Sequence, residues 1–220
     1  MTTFVLVPGA GGSAWYWHRL VPELHRHGHD AVAVDLPATD DGAGLDAYAE
    51  TIVTAAAGRP ELVVVAQSMG GLSAPLVCGR LPVTALVLLN AMIPVPGETG
   101  GQWWPNTGQP EALRELDERA GRTGFDLRTH FFHDVPADVT EQALAVDLPQ
   151  SGTPFGDPWP LPAWPDVPTR VLSGRDDRFF PLGFQARIAR ERLGATPETL
   201  PGGHLVALSR PAELAALLTR

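Results

Sequence analysis

Cysteine is almost absent: Cys78 is the only one in 220 residues. A single thiol excludes an internal disulfide and any metal site built on paired cysteines. It falls in a segment expected to be helical, where it reads as a small buried hydrophobe. No block of basic residues is present, and the formal net charge is −9. That balance argues against a nucleic-acid partner and an anionic membrane surface, and it says little about a neutral substrate. No apolar run approaches the ~18–20 residues of a membrane span. The opening Met1-Thr2-Thr3-Phe4-Val5-Leu6-Val7 carries no positive leader, and its apolar run is too short for a signal peptide. The expectation is a soluble, cytoplasmic protein with no membrane partner, as a monomer or homodimer. No internal repeat is found. Glycine (23) and proline (22) are abundant, but they cluster at turns and in one middle region without forming a low-complexity tract. A hydrophobic fraction of 44% over this length suits one domain with a full core, with or without an insertion.

What is present alternates. Phe4 to Val7 reads as a buried strand and ends in the loop Pro8-Gly9-Ala10-Gly11-Gly12. A helical pattern runs from Trp15 to His27, with Trp17, Leu20, Val21 and Leu24 on one face. Ala31 to Val34 is a second strand. Leu45, Tyr48, Ala49, Ile52, Val53 and Ala56 recur at helical spacing, and Gly58 and Pro60 stop the run. Leu62 to Ala66 is a strand, Gly70 to about Arg80 a helix, and Thr84 to Leu89 a fourth strand. Strand–helix alternation of this kind implies a parallel sheet covered on both faces, with ligands bound outside the carboxyl ends of the strands.

The pattern breaks at Pro94 and resumes at Thr169. Residues 94–168 hold 12 of the 22 prolines and four of the six tryptophans: Trp103, Trp104, Trp159 and Trp164. This is too long for a plain loop. Helices are expected near Glu111–Ala120 and from Asp138, where Glu141 three residues on suggests a capping box. The segment reads as a small, mainly helical lid inserted into a core formed by residues 1–93 and 169–220. Most of its aromatics are expected to pack against the core, while Trp103 and Trp104 are candidate walls of an apolar pocket. Beyond it come a strand at Thr169–Ser173, a helix at about Leu182–Leu193, a short strand at Glu198–Leu200, and a last helix holding Leu214, Leu217 and Leu218.

Two motifs compete for the chemistry. Gly9-Ala10-Gly11-Gly12-Ser13-Ala14 fits G-x-G-x-x-A after a strand, with Asp35 about 20 residues on, as a dinucleotide fingerprint requires. Against it, the helix would open on Trp15-Tyr16-Trp17, bulky rings where a pyrophosphate must meet bare backbone. The other motif is Ala66-Gln67-Ser68-Met69-Gly70-Gly71, a strand, a hard turn bearing one serine, and a glycine-opened helix. It matches the G-x-S-x-G nucleophile elbow except for Ala66. A serine capping a surface helix is the plain alternative. The elbow gains weight because an acid and a base follow it at strand ends, in the order Ser68, Asp176 or Asp177, His204. A serine hydroxyl needs a base to take its proton, and the base needs a carboxylate to hold its tautomer. His204 sits in a loop after the last strand, whereas His18, His25, His27 and His29 surround the first helix.

From end to end the chain resembles the α/β-hydrolase superfamily, through Val7-Pro8-Gly9-Ala10-Gly11-Gly12, the Ser68 elbow, Gly174-Arg175-Asp176-Asp177 and Gly203-His204. The Trp/Pro-rich insertion and the Gly-Ala-x-x-x-x-Trp opening look like its esterase and hydroxynitrile-lyase group. The resemblance implies a mostly parallel α/β sheet of about six strands that starts at the glycine-loop strand. Its G-x-x-D pattern selects Asp177 over Asp176. It also implies an oxyanion hole from the backbone N–H groups of Ala10 and Met69, and no cofactor. One departure is Pro8, where the family usually carries a histidine that shapes the oxyanion loop.

The expected activity is cleavage of a small carboxylic ester, thioester or lactone through an acyl-serine, with Ser68, Asp177 and His204 as triad. A hydroxynitrile-lyase-like reaction, or ligand binding alone, would use the same fold differently. His130 and His133 stand three apart beside Asp134, as metal ligands on a helix can, but a polar lid edge is the preferred reading. Titration with NAD and NADP tests the dinucleotide alternative: the hydrolase reading expects no binding, and saturable micromolar binding would overturn it.

Overall fold

The computed structural model describes residues 1–146 and 149–220. Six strands form one sheet, each pair parallel, in the order β2-β1-β3-β4-β5-β6. They are β1 (Thr3–Val7), β2 (Asp30–Ala33), β3 (Leu62–Gln67), β4 (Val83–Leu89), β5 (Thr169–Gly174) and β6 (Glu198–Leu200). All six were expected within about a residue at each end, because each is a short apolar or β-branched run bounded by turn formers.

The two-residue period of the strands sorts their side chains onto two faces. Phe4, Leu6, Val65, Val87, Leu89 and Leu172 pack with Leu20 and Leu24 of α1 (Leu20–Arg26) and with the C-terminal Leu214, Leu217 and Leu218. Val5, Val7, Val64, Ala66, Leu86, Leu88 and Val171 pack on the opposite face with Tyr48 and Ile52 of α2 (Leu45–Ala56). Both faces are covered, as a wholly parallel sheet requires.

Two expected helices are broken, and proline explains both. The segment from Trp15 forms a 3-10 turn over Ala14–Trp17, capped by the Ser13 hydroxyl, and α1 starts only at Leu20. A continuous helix would miss the hydrogen bond of Pro22, which has no N–H; the break places Pro22 in a first turn, where none is needed. After the elbow, α3 covers only Gly70–Ser73 and passes into a 3-10 turn at Ala74–Val77, which contains Pro75.

Residues 94–168 leave the sheet uninterrupted, since β4 and β5 pair directly from Leu86↔Thr169 to Leu89↔Leu172. The segment is helical: α4 (Gly100–Thr107), α5 (Gln109–Arg119), α6 (Leu127–His130), α7 (Ala137–Ala145) and α8 (Thr153–Gly156). The helix α4 was not expected, since two glycines and Pro105 mask it. It opens on a true capping box, with Thr99 Oγ accepting from the Gln102 N–H and Gln102 Oε1 from the Thr99 N–H. The capping box expected at Asp138 does not form. Pro136 precedes α7 instead, and Glu141 pairs with Arg128. Downstream lie α9 (Leu182–Leu193), α10 (Val206–Ser209) and α11 (Pro211–Leu218).

A buried ion pair ties the insertion to α9. The guanidinium of Arg192 donates to both Glu98 oxygens, at 2.5 and 3.0 Å, and to the Ile93 carbonyl, while Asn106 donates to Glu98. Their side chains are only 10% and 2% exposed. Burial by itself would raise the Glu98 carboxyl, but hydrogen bonds from Arg192 and Asn106 and the Arg192 charge outweigh it and hold the pKa below the usual carboxylate range. A depressed carboxyl pKa stabilises the fold above the unfolded value and loses that contribution as pH falls through the folded one. Arg192→Met, which strands Glu98, should cost about 3–5 kcal/mol in urea unfolding at neutral pH. The deficit should shrink on acidification below the ordinary glutamate range. A pH-independent deficit would show that packing, not the pair, is responsible.

Candidate active site

The site is built at the carboxyl ends of β1, β3, β4 and β5. Ser68 follows β3 directly and holds φ at 52°, in the left-handed region that side chains other than glycine rarely adopt. Its backbone is pinned from both sides: its N–H donates to the Leu89 carbonyl, and its carbonyl accepts from Gly71 and Met92. The turn is crowded enough to demand glycine around it. A Cβ at Gly71 would lie 2.0 Å from the Met92 carbonyl oxygen, and one at Gly9 would lie 2.9 Å from Ser68 Cβ. Ala66, by contrast, is fully buried with its methyl packed in the core, so that position accepts alanine.

His204 lies between β6 and α10. Its Nδ1 is 2.8 Å from Asp177 Oδ2, and both side chains are buried. Asp177 Oδ1 accepts the Phe179 and Phe180 N–H groups at 2.8 and 2.9 Å, and Gln185 Nε2 donates to Oδ2. The carboxylate is therefore fixed, and it makes His204 a proton donor at Nδ1 and leaves Nε2 as the acceptor. Nε2 is buried with no hydrogen-bond partner, and no hydrogen bond joins it to Ser68 Oγ; the two residues line one cleft. The rings of Phe131, Phe179 and Phe180 stand edge-on to the imidazole at 4.9, 5.2 and 5.0 Å and set its plane. Asp176 points elsewhere. It is exposed, receives the Gly202 N–H, and is held below the usual carboxylate range first by Arg175.

The cleft measures about 400 Å³. Ala10 and Met69 line it, and neither of their N–H groups donates a turn or loop hydrogen bond among the described residues. Trp104 forms part of the wall beside Phe131, Phe155 and Phe179. Trp103 does not reach it. Its ring is fully buried, its Nε1–H is bonded to the Ile93 carbonyl, and it stands edge-on behind Trp104. Adjacent helical residues point about 100° apart, so only one of a Trp pair could face the cleft. No Asp, Glu, Lys or Arg is among the described residues lining the cleft.

The other candidates lie outside the cleft lining. Asp35 spends its carboxylate on the Ala14 N–H at 2.7 Å, in a loop that leads to a 3-10 turn rather than a phosphate-binding helix. His130 is fully buried, bonded to Asp117 through Nε2 and to the Asp126 carbonyl through Nδ1. His133 and Asp134 lie behind the catalytic-loop candidates, in a groove with Arg175 and Arg210, where burial foremost holds the imidazole pKa down. No group of three His, Cys, Asp or Glu that could hold a metal occurs among the described residues. Burial pushes the Cys78 thiol up to about 11, so it is a poor nucleophile at neutral pH.

Two residues passed over in the sequence knit the site together. Asn90, fully buried at φ 45°, donates to the carbonyls of Gly203 and His204 and accepts from Gly174 N–H and Gln185 Nε2. It joins the end of β4 to both the histidine loop and the aspartate loop. Gln185 carries the network on to Ser173, the Phe180 carbonyl and Asp177. An asparagine closing the apolar run Leu86–Leu89 was a visible signal; Gln185 gave none.

This fold and this strand-end constellation define an α/β hydrolase. The model of the alpha/beta hydrolase family matches residues 4–217, and the chain belongs to that family. Among its relatives is a probable esterase, PIR7A, of Oryza sativa subsp. indica, 29% identical over 99% of this chain and 95% of that protein. Another is the alpha/beta hydrolase nvfD of Aspergillus novofumigatus, 26% identical over 94% and 91%. Among solved structures, polyneuridine aldehyde esterase shares the fold at TM-score 0.79 and 21% identity, covering 99% of this chain and 98% of that one. A pyrethroid hydrolase from Sphingobium faniae JZ-2 does so at TM-score 0.76 and 24% identity, covering 99% and 95%.

The geometry separates the two aspartates. A far-downfield imidazole N–H resonance is expected in proton NMR, lost in Asp177→Ala and in His204→Gln and kept in Asp176→Ala. Its loss in Asp176→Ala alone would reverse the assignment.

Proposed function

We propose that this chain is a serine hydrolase that cleaves small, uncharged carboxylic esters, and by the same chemistry thioesters or lactones, through an acyl-Ser68 intermediate. The observation that supports it most is the buried His204–Asp177 pair together with a serine held in a left-handed turn, with His204 and Ser68 lining one cleft. His204 Nε2 takes the Ser68 proton as Oγ bonds to the carbonyl carbon. The carbonyl oxygen becomes an oxyanion, which the Ala10 and Met69 N–H groups receive. Collapse of the tetrahedral species breaks the bond to the leaving alcohol, and His204 returns the proton to it. Water then attacks the acyl group, giving its proton to His204, and Ser68 leaves with that proton restored. Asp177 holds the imidazole and balances its transient charge. No step calls for a cofactor.

The absence of charged side chains from the described cleft lining supports a neutral substrate, and Trp104, Phe131 and Phe155 support an apolar one. Residues 94–168 are proposed as the lid, because Trp104, Phe131, Phe155 and Gln150 all come from that segment. The relatives named as esterases support the reaction class. A cytoplasmic setting, no nucleic-acid partner, and a monomeric or homodimeric state complete the proposal; no helix among the described residues is long and apolar enough to cross a membrane.

A panel of 4-nitrophenyl and methyl esters of varied acyl size tests it. Turnover of at least one neutral ester is expected. Ser68→Ala should lower kcat by about 10⁵–10⁶-fold. An ester carrying a free carboxylate on its acyl part should fall at least about tenfold in kcat/KM against its neutral counterpart. Full activity in Ser68→Ala would sink the proposal. Cyanohydrin cleavage without ester turnover would select the lyase reading.

A further inference from the structure

The loop that carries Ala10 leaves one of its backbone N–H groups to a side chain from the insertion. Gly12 N–H closes a turn onto the Gly9 carbonyl at 3.1 Å. Because a peptide unit is planar, fixing the Gly9 carbonyl also fixes the Ala10 N–H on the far side of the same plane. The next plane, between Ala10 and Gly11, has no backbone partner for its Gly11 N–H. That hydrogen goes instead to Gln150 Oε1, at 3.0 Å. Pro8, at the head of the loop, has neither an N–H nor a polar side chain to give.

Gln150 comes from the insertion, 139 residues away in sequence, and lines the cleft. Both hydrogens of its amide nitrogen are committed. Nε2 donates to the Tyr48 hydroxyl and to the Ser151 carbonyl, each at 2.9 Å. The orientation cannot be reversed, since Gly11 N–H is only a donor and the Ser151 carbonyl only an acceptor. The anchor behind it is firm. Ser151 N–H donates to the Ala38 carbonyl, Ser151 Oγ to Asp41, Thr153 Oγ1 to the Asp41 carbonyl, and Asp157 accepts the Leu45 N–H.

Resting on the proposed hydrolase function, we infer that Gln150 is a positioning residue for the oxyanion hole. It holds the central Ala10–Gly11 peptide of the Gly9–Gly12 turn from the insertion side, and so steadies the turn whose Gly9 carbonyl shares its plane with the Ala10 N–H. Binding and activation are thereby linked: the segment that walls the cleft also steadies the loop that carries Ala10.

The test compares wild type with Gln150→Met, which keeps the volume and loses the acceptor. Both are assayed on a 4-nitrophenyl ester and for phosphonylation of Ser68 by a 4-nitrophenyl phosphonate, whose phosphoryl oxygen needs the same donors. A misaimed donor should cost less than the ~10²–10³ of a deleted one, so kcat should fall about ten- to thirtyfold. KM should stay within about twofold, the phosphonylation rate should fall in step with kcat, and the melting temperature should hold. Tyr48→Phe, which removes one Nε2 partner, should move kcat and phosphonylation the same way by a few-fold, and it serves if Gln150→Met does not fold. An unchanged kcat in the folded variants overturns the inference, as does a loss confined to KM or melting temperature. A wild type that turns over no ester and takes no phosphonate overturns the proposed function itself.

Discussion

The structure depends on one strained residue. Ser68 sits where a buried parallel strand turns abruptly into a helix, and its φ of 52° is a conformation that costs an ordinary residue about 1–3 kcal/mol. The surroundings hold it there. Leu89 and Met92 bond its backbone across from the end of β4, and bare glycine backbone at Gly9 and Gly71 leaves the space it needs. The outcome is a serine that lines the cleft together with residues from the loops after β1, β5 and β6. Everything else in the site is arranged around that point.

The loops converge because the sheet is wholly parallel. All six strands end at the same edge, so residues far apart in sequence meet there without any long side chain reaching across. Asn90 turns this proximity into a fixed spacing. One buried amide bonds the His204 loop and the β5 end, and Gln185 ties it to Asp177, so the loops carrying His204 and Asp177 are held together. The aromatic shell of Phe131, Phe179 and Phe180 keeps the imidazole dry. Within that shell Asp177 holds the ring through Nδ1.

The sheet was legible because each strand is a compact apolar run and each connection a helix or turn signal; strand ends pointed to Ser68, to Asp176 or Asp177, and to His204, and only the family resemblance chose between the two aspartates. Local chemistry set the limits. Pro22 and Pro75 interrupt helices whose apolar periodicity is intact, so pattern alone overran them. Asp138 and Glu141 have capping-box spacing, yet Pro136 sets where α7 begins and Arg128 takes the glutamate. Trp103 and Trp104 are equivalent as letters; only the direction of α4 sends one to the cleft and one into the core. Gln150 was invisible because its partners Gly11 and Tyr48 lie more than 100 residues away, and Gln185 because no spacing marks a helical glutamine that bonds back to the loop before it.

The insertion at residues 94–168 both packs into the core and lines the cleft. Trp103 and Trp159 root it in the main core, Glu98 and Arg192 bolt it to α9, and Trp104, Phe131 and Gln150 face the cleft. The central claim remains that Ser68 Oγ forms a bond to the substrate's acyl carbon. Acid quenching during turnover of a 4-nitrophenyl ester with a bulky, slowly released acyl group, followed by peptide mass spectrometry, tests it directly. The account predicts one acyl mass per chain, on the peptide containing Ser68. Product formation with no adduct on that peptide, or with the acyl group on another residue, would contradict it.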